Sequence, residues 1–380
     1  MSAAMQVPFV DLAPQWRQVR ARVLPEIERL FEASAFSLGP WVAEFEEALA
    51  GYLGVAHAVA VSSGSAALHL ATIAAGIGRG DRVLVPAHSF IGTIWGLLYQ
   101  GAVPVFCEVE EASGTIDLAD AAQRLAACER EGTRVSAILP VHLYGQGVDM
   151  AALRDFAETH GLIVIEDAAQ AIGARWQGRS LGSFGAMGCF SFYPGKNLGG
   201  AGEGGLVVTH DGDLAARLRV LRDHGQRQRY LHETLGYNYR MDGLQALVLA
   251  AKLDHLDPWN AQRCSLAERY GQALAHTPLR LPREVHGSHV HHLYVVRCKA
   301  RDALREYLER HAVQTGLHYP VALYRQPCLT GIARVPDEGF PVTDDWAENG
   351  LSLPLFAGMT EVQQDHVIAT VCRFFEDGAR

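Results

Sequence analysis

The sequence predicts a three-layer α/β domain with a mostly parallel sheet, followed by a smaller α/β domain. Through the first two-thirds of the 380 residues, short runs rich in valine, isoleucine and leucine alternate with longer helical patterns. The short runs are apolar throughout, which is typical of strands that helices cover on both faces. Strand and helix alternating in this way indicate βαβ units. A chain of this length is expected to hold about two domains.

The predicted strands and helices follow one another in regular order. Seven strands are predicted at 58–62, 82–85, 103–107, 135–140, 162–166, 188–192 and 206–209. Helical patterns occur at 65–75, 92–100, 118–128, 150–159, 213–223 and 242–256. Beyond residue 256 come further helices, a strand at 292–298 and a terminal helix at 361–375. We therefore predict a large domain over 1–256 and a small C-terminal domain over 257–380.

Composition argues against several classes of partner and compartment. The formal net charge is −9, which argues against nucleic acid or an anionic membrane as a general partner. No apolar run approaches the roughly 18 residues of a membrane span, and the N-terminus lacks the features of a signal peptide. Seven dispersed cysteines without a CxxC pair are typical of reduced thiols. The sequence thus predicts a cytoplasmic protein.

Small and polar residues follow the first predicted strand. Ser63, Gly64 and Ser65 open the helix after it, where free N–H groups and the positive end of the helix dipole favour an anion. Gly64 would let a phosphate approach the backbone closely. The same serines also suit a plain N-cap, which needs no ligand. Phosphate binding is one of two interpretations at this point.

Two charged residues follow later strands. Asp167 ends the run at 162–166 and could pair with a protonated heterocycle nitrogen, although an N-cap aspartate is the alternative. Lys196 lies in the glycine-rich, apolar segment at 188–200, where partial desolvation would lower its pKa and free the amine as a nucleophile. Both residues belong at the carboxyl edge of a parallel sheet, where ligands of open α/β sheets bind.

Other ligand motifs are not supported. The segment around Lys196 lacks the earlier glycine of a P-loop, and no GxGxxG follows the first strand. Four histidines between 286 and 292 have no carboxylate or cysteine among them, so we predict no metal site there. The basic stretch at 222–229 could meet a nucleotide diphosphate or form a solvated loop.

Five segments together resemble the DegT/DnrJ/EryC1/StrS family of sugar aminotransferases. They are SSGSAALHLA (62–71), PAHSFIGT (86–93), IEDAAQAIGA (165–174), GCFSFYPGKNLGGAGEGG (188–205) and GYNYRMDGLQA (236–246). Similar stretches occur in the opening PFVDLAPQW, in LHYPVALY (317–324) and in LSLPLF (351–356), so the resemblance covers nearly the whole chain in order. It implies the type I fold of enzymes that use pyridoxal phosphate (PLP), and a homodimer with shared active sites.

The resemblance also implies a role for individual residues. Lys196 would bind PLP as a Schiff base and later move a proton, and Asp167 would pair with the ring nitrogen. The remaining cofactor contacts would be Gln170 near the ring's 3-oxygen, Phe90 on the ring face, and Gly64, Ser65, Ser191 and the partner subunit's Asn238 at the phosphate. Substrate contacts are expected from Tyr193, Arg240, His318 and Tyr319.

The resemblance implies transfer of an amino group from glutamate or glutamine to a keto-sugar nucleotide, most closely a dTDP-linked 3-keto-6-deoxyhexose. Amination at C4, or of a ketocyclitol such as a scyllo-inosose, is the alternative among enzymes. A regulatory protein that keeps the fold without catalysis is the alternative from another class, which the intact set of cofactor residues opposes. Lys196 itself opposes the family branch that carries histidine there and dehydrates sugars. The stretch after Tyr319-Pro320 lacks the histidine frequent in the family, which leaves the acceptor open.

Overall fold

A computed structural model describes residues 5–332, 335–336 and 338–378. A seven-stranded sheet lies at its centre, in the spatial order β1-β7-β6-β5-β4-β2-β3. The strands are β1 His57–Val61, β2 Arg82–Pro86, β3 Val103–Cys107, β4 Val135–Ile138, β5 Ile163–Asp167, β6 Met187–Ser191 and β7 Gly205–Thr209. Only β7 runs antiparallel to its neighbours, β1 and β6, while the other pairs are parallel. The predicted α/β class with a mostly parallel sheet is confirmed.

Helices cover both faces of the sheet. Along β1, Ala58 and Ala60 pack into one hydrophobic core, whereas Val59 and Val61 pack into another on the opposite face. Both faces are therefore buried, which explains why the strand sequences do not alternate. The helices of this part are Ala13–Ala33, Pro40–Leu53, Gly64–Ala74, Gly92–Tyr99, Leu118–Arg130, Met150–His160, Gly212–Arg222 and Gly243–Leu253. The first two were not predicted from the sequence.

Local chemistry sets many of the helix ends. Asp117, Asp149 and Asp211 each precede a helix and accept hydrogen bonds from its first free N–H groups. Gly54 and Gly161 end helices in the left-handed conformation, which glycine adopts at little cost. The predicted elements are therefore displaced by only a few residues, as expected where caps and apolar runs decide the boundaries.

Several predicted boundaries differ from the structure. The strand predicted over 135–140 ends at Ile138, because Pro140 has no N–H with which to continue the ladder. The helical pattern at 242–256 stops at Leu253, and a separate helix, Leu256–Leu274, begins after a break. The strand predicted over 292–298 is shorter, Tyr294–Arg297.

The C-terminal part has its own hydrophobic core. Tyr294–Arg297 pairs antiparallel with Gly350–Leu353, and the helices Leu256–Leu274, Arg301–Arg310, Pro341–Asn349 and Glu361–Gly378 accompany this pair. Val7 joins this core from the other end of the chain and forms a bridge with Val313. The two-domain division at residue 256 stays a prediction. Within the described residues, no helix combines the length and hydropathy that crossing a bilayer requires.

Candidate active site

Lys196 lies in the loop between β6 and β7, beyond the carboxyl end of the sheet. Its backbone N–H donates to Tyr193 O at 2.8 Å, and the loop closes where Gly200 N donates to Phe192 O at the same distance. Burial lowers the pKa of Lys196 to about 8, while the negative charge of Asp167 acts in the opposite direction. The Lys196 amine is therefore much closer to its neutral, nucleophilic form than a lysine in water.

Asp167 is the last residue of β5 and is only 4% exposed. Its carboxylate accepts hydrogen bonds from Thr93 Oγ1 at 2.8 Å and from Ala169 N at 3.1 Å. Burial raises the pKa of Asp167, and these two hydrogen bonds, followed by the charge of Lys196, act against that rise. Among the described residues no cation bonds directly to this buried carboxylate, so a positively charged ligand would stabilise it.

The helix Gly64–Ala74 begins beside Ser191. Ser63 caps the helix by accepting from Ala66 N at 3.1 Å, so the N-cap interpretation of this serine is confirmed. A Cβ added at Gly64 would lie 2.7 Å from Cβ of Ser191, so only glycine fits between helix and strand. The hydroxyl of Ser191 and the first N–H groups of the helix thus lie together at a helix N-terminus, an arrangement suited to phosphate.

Gln170 connects the strand ends to the C-terminal part of the chain. Its Oε1 accepts from the backbone N–H of Tyr144 at 2.6 Å, which fixes the orientation of the amide. Its Nε2 therefore faces the site and donates to the hydroxyl of Tyr319 at 2.9 Å. The ring of Tyr319 lies 5.6 Å from that of Phe90, a 52% exposed side chain. The structure thus brings Gln170, Phe90 and Tyr319 together.

The positive charge of Lys196 acts on two nearby histidines. Burial, assisted by that charge, lowers the pKa of His318 to about 4 and the pKa of His292 well below its ordinary value. His318 Nδ1 lies 2.8 Å from Ser352 Oγ, and Phe9 stacks on its ring at 5.6 Å. Both imidazoles are neutral at physiological pH and suited to hydrogen bonding with an uncharged group such as a sugar hydroxyl.

Of the remaining predicted residues, Tyr193 lies in the Lys196 loop, whereas Asn238 and Arg240 lie on a segment that bridges Asp223 and Val61. The exposed Asn238 forms no side-chain hydrogen bond with the described residues. Arg240 forms an ion pair with Asp223 at 2.6 Å and donates to Ser37 at 3.2 Å. Tyr193 is 56% exposed at the edge of the Lys196 loop. No contact within the subunit joins Asn238 or Arg240 to Lys196 among the described residues.

The structure adds residues to which the sequence analysis gave no role. Thr93 lies in the segment PAHSFIGT and is the hydroxyl donor to Asp167, a contact that only folding reveals. His292 belongs to the histidine-rich stretch that we considered only for metal binding, and its Nδ1 lies 3.2 Å from Asn197 Oδ1. Asn197 directly follows Lys196 in the sequence, but nothing in the sequence indicates that His292 contacts it.

These residues fit pyridoxal phosphate. The cradle at Gly64 matches a phosphate, the buried carboxylate of Asp167 matches a protonated ring nitrogen, and the desolvated Lys196 matches the cofactor's aldehyde. Phe90 is 52% exposed, and its aromatic side chain would suit contact with the ring of the cofactor.

Comparison with known proteins points to the same family. Residues 18–372 match the model of the DegT/DnrJ/EryC1/StrS aminotransferase family. The chain is 44% identical to the erythromycin biosynthesis sensory transduction protein EryC1 of Saccharopolyspora erythraea, covering 97% of this chain and 99% of the relative. It is 43% identical to the dTDP-3-amino-3,4,6-trideoxy-α-D-glucose transaminase of Streptomyces venezuelae, with coverage of 98% and 97%. Identity to the UDP-N-acetyl-3-dehydro-α-D-glucosamine 3-aminotransferase of Acidithiobacillus ferrooxidans is 41%, with coverage of 98% and 99%.

Solved structures share the fold over nearly the whole chain. S. venezuelae DesV superposes with a TM-score of 0.93 at 42% identity, covering 98% of this chain and 99% of DesV. Bacillus subtilis NtdA, solved with its bound cofactor PMP, superposes with a TM-score of 0.89 at 28% identity, covering 98% of this chain and 85% of NtdA. The type I fold predicted from the sequence is therefore confirmed.

Proposed function

We propose a specific reaction for this chain from one premise: it belongs to the DegT/DnrJ/EryC1/StrS aminotransferase family and is a PLP-dependent sugar aminotransferase. The proposed acceptor is a dTDP-linked 3-keto-6-deoxyhexose, and the proposed amino donor is glutamate or glutamine. The choice of acceptor rests on sequence identity above 40%, over nearly the full length, to two transaminases. The names of both place the amine at C3 of a nucleotide sugar.

Bound PLP supplies the electron sink that allows an amino group to leave one carbon and join another. We assign covalent attachment of the cofactor to Lys196 Nζ, and proton transfer to the same amine once it is released. Asp167 holds the ring nitrogen protonated, and Thr93 holds Asp167. Phe90 and Gln170 orient the ring, while Gly64, Ser65 and Ser191 bind the phosphate. The depressed pKa of Lys196 supports its role as both nucleophile and base.

We assign the sugar to the side of the site formed by Tyr193, His318 and Tyr319. The neutral imidazole of His318 and the hydroxyl of Tyr319 provide hydrogen-bonding groups without an added charge beside Lys196. Placing sugar and cofactor side by side supplies the proximity term of catalysis.

We further propose a homodimer in which the partner's Asn238 completes the phosphate site. The absence of a side-chain partner for Asn238 within the described residues, together with its exposure, supports that assignment. Arg240 shares a cavity of about 460 Å³ with Arg227 and Arg229. Asp223 lines the same cavity and pairs with Arg240, and Glu233 pairs with Arg227, so a nucleotide diphosphate there would compete with these carboxylates for the guanidinium groups. All seven cysteines are free, which supports a reducing compartment such as the cytoplasm.

The cofactor assignment is tested by borohydride reduction of the purified holoenzyme followed by peptide mapping. The chain has three lysines, Lys196, Lys252 and Lys299, so the modified residue is identified directly. We expect the cofactor on Lys196 alone, and loss of both labelling and turnover in Lys196→Ala. Lys299→Ala, at an exposed position, is the matched control and keeps both. Labelling and turnover that persist in Lys196→Ala would refute the assignment.

The acceptor is tested by running the reaction in reverse, with 2-oxoglutarate or 2-oxoglutaramate as the keto acid and a panel of aminated sugar nucleotides. The panel contains dTDP-3-amino-3,4,6-trideoxy-α-D-glucose, its UDP-linked 3-amino-N-acetylglucosamine counterpart, a C4-aminated dTDP sugar and an aminocyclitol. We expect the highest kcat/KM with the dTDP-linked C3 amine. A preference for the C4 amine or the aminocyclitol would establish an alternative function instead.

A further inference from the structure

Tyr144 occupies a backbone conformation that is unfavourable for tyrosine. It lies in the turn Leu143–Gly145 after β4, with φ of 59° and ψ of 3°, in the left-handed region. Outside glycine and asparagine this region is sparsely populated and persists only where the surroundings hold it. Here Gln170 accepts the backbone N–H of Tyr144 at 2.6 Å, and the side chain is 4% exposed. The contacts of the Tyr144 side chain therefore require an explanation.

The hydroxyl of Tyr144 reaches the C-terminal part of the chain. It lies 2.5 Å from His318 O and 2.7 Å from His88 Nε2. A carbonyl oxygen only accepts, so the hydroxyl proton of Tyr144 is directed to His318, and His88 Nε2 must donate to the same hydroxyl. His88 is thus the Nε2–H tautomer. Burial, followed by the charge of Arg297, lowers the pKa of His88 to about 3, so the ring stays neutral.

The segment that receives this bond faces the active site. The charge of Lys196 acts on His318, and Gln170 donates to the hydroxyl of Tyr319. His318 and Tyr319 lie 174 and 175 positions after Tyr144 in the sequence, so no local structure orients them relative to the strand ends. Besides Gln170, Tyr144 is a direct hydrogen-bonded connection between this segment and the strand ends.

We propose that Tyr144, oriented by His88, is a positioning residue that fixes the His318–Tyr319 segment and thereby the sugar-binding side of the site. The proposal rests on the function proposed above, in which that segment contacts the sugar. Tyr144 touches neither sugar nor cofactor in this arrangement, so its loss affects the sugar half-reaction and spares the half-reaction with the amino donor.

The chain offers a matched control for the test. Tyr270 is also a buried tyrosine whose hydroxyl donates to a backbone carbonyl, Pro354 O at 2.9 Å, but it lies in the C-terminal core away from the site. Both Tyr144→Phe and Tyr270→Phe therefore remove a hydroxyl bond to a backbone carbonyl, and Tyr144→Phe also removes the acceptor of His88 Nε2. In holoenzyme carrying Tyr144→Phe, we expect kcat/KM for dTDP-3-amino-3,4,6-trideoxy-α-D-glucose to fall about tenfold through KM. The rate of the half-reaction with glutamate should change less than twofold.

Tyr270→Phe should change both half-reactions less than twofold although it also loses a buried hydrogen bond. The proposal is overturned if the two variants have the same kinetics, or if Tyr144→Phe slows both half-reactions equally. If wild-type enzyme accepts no nucleotide sugar, the proposed function fails, and crystal structures of the two variants then decide the positioning role. A displaced His318–Tyr319 segment in Tyr144→Phe alone supports that role, and an unchanged segment refutes it.

Discussion

Replacing Lys196 by methionine should stabilise the cofactor-free protein at neutral pH. Burial places the pKa of Lys196 at about 8 in the folded chain, compared with 10.5 for an unperturbed lysine. A difference of this size corresponds to about 3 kcal/mol of destabilisation while the amine is charged in both states, below pH 8. Between pH 8 and 10.5 the unfolded state binds more protons than the folded state, so the destabilisation declines as the pH rises.

Lys196→Met removes the charge and should therefore raise the free energy of unfolding by about 3 kcal/mol at pH 7 and by less than about 1 kcal/mol at pH 10. Urea denaturation of both cofactor-free proteins, at equal protein concentration and at several pH values, measures the difference. Lys299→Met is the control, and its exposed position predicts a change within about 0.5 kcal/mol at every pH. The assignment of a desolvated amine would be refuted if Lys196→Met did not raise the free energy of unfolding at pH 7, or if the gain did not decline as the pH rises.

Three further predictions concern the carboxyl edge of the sheet. Asp167→Asn should lower kcat/KM at least about 100-fold, because the counter-ion of the ring nitrogen is lost, while the protein still binds PLP. Steady-state kinetics measure the first effect and the absorbance of the bound cofactor the second. Gly64→Ala should weaken PLP binding at least about tenfold in a titration, because the added Cβ would clash with Ser191. Gly51→Ala is the control: it lies in a helix with open space around it and should leave PLP binding unchanged. Glu166→Gln should cost about 2–4 kcal/mol in urea denaturation, because the buried carboxylate accepts from Gly182 N, Phe184 N, Gly185 N and His142 Nε2; a loss below about 1 kcal/mol would contradict this.

Some parts of the fold and of the candidate site were predictable from the sequence. The apolar runs located all seven strands, because a strand buried on both faces needs apolar side chains along its whole length. Lys196 and Gly64 follow strands and Asp167 ends one, and the carboxyl ends of parallel strands meet at one edge of a sheet. The two N-terminal helices and the shorter strand at Tyr294–Arg297 were not predicted correctly, since helical periodicity and short apolar runs are ambiguous without their packing partners.

What the sequence by itself determined was therefore local: the strands, the capped helices and the identity of the residues that carry chemistry at their ends. The tertiary structure alone decided which distant groups support them. Thr93 reaches Asp167 across 74 positions, and Tyr144 reaches His318 across 174. Propensity and capping act over one turn of chain, whereas these hydrogen bonds form only after buried side chains have packed and left each donor one acceptor within reach. For that reason the cofactor could be inferred from the sequence, while the groups that hold its site in place became visible only in the folded chain.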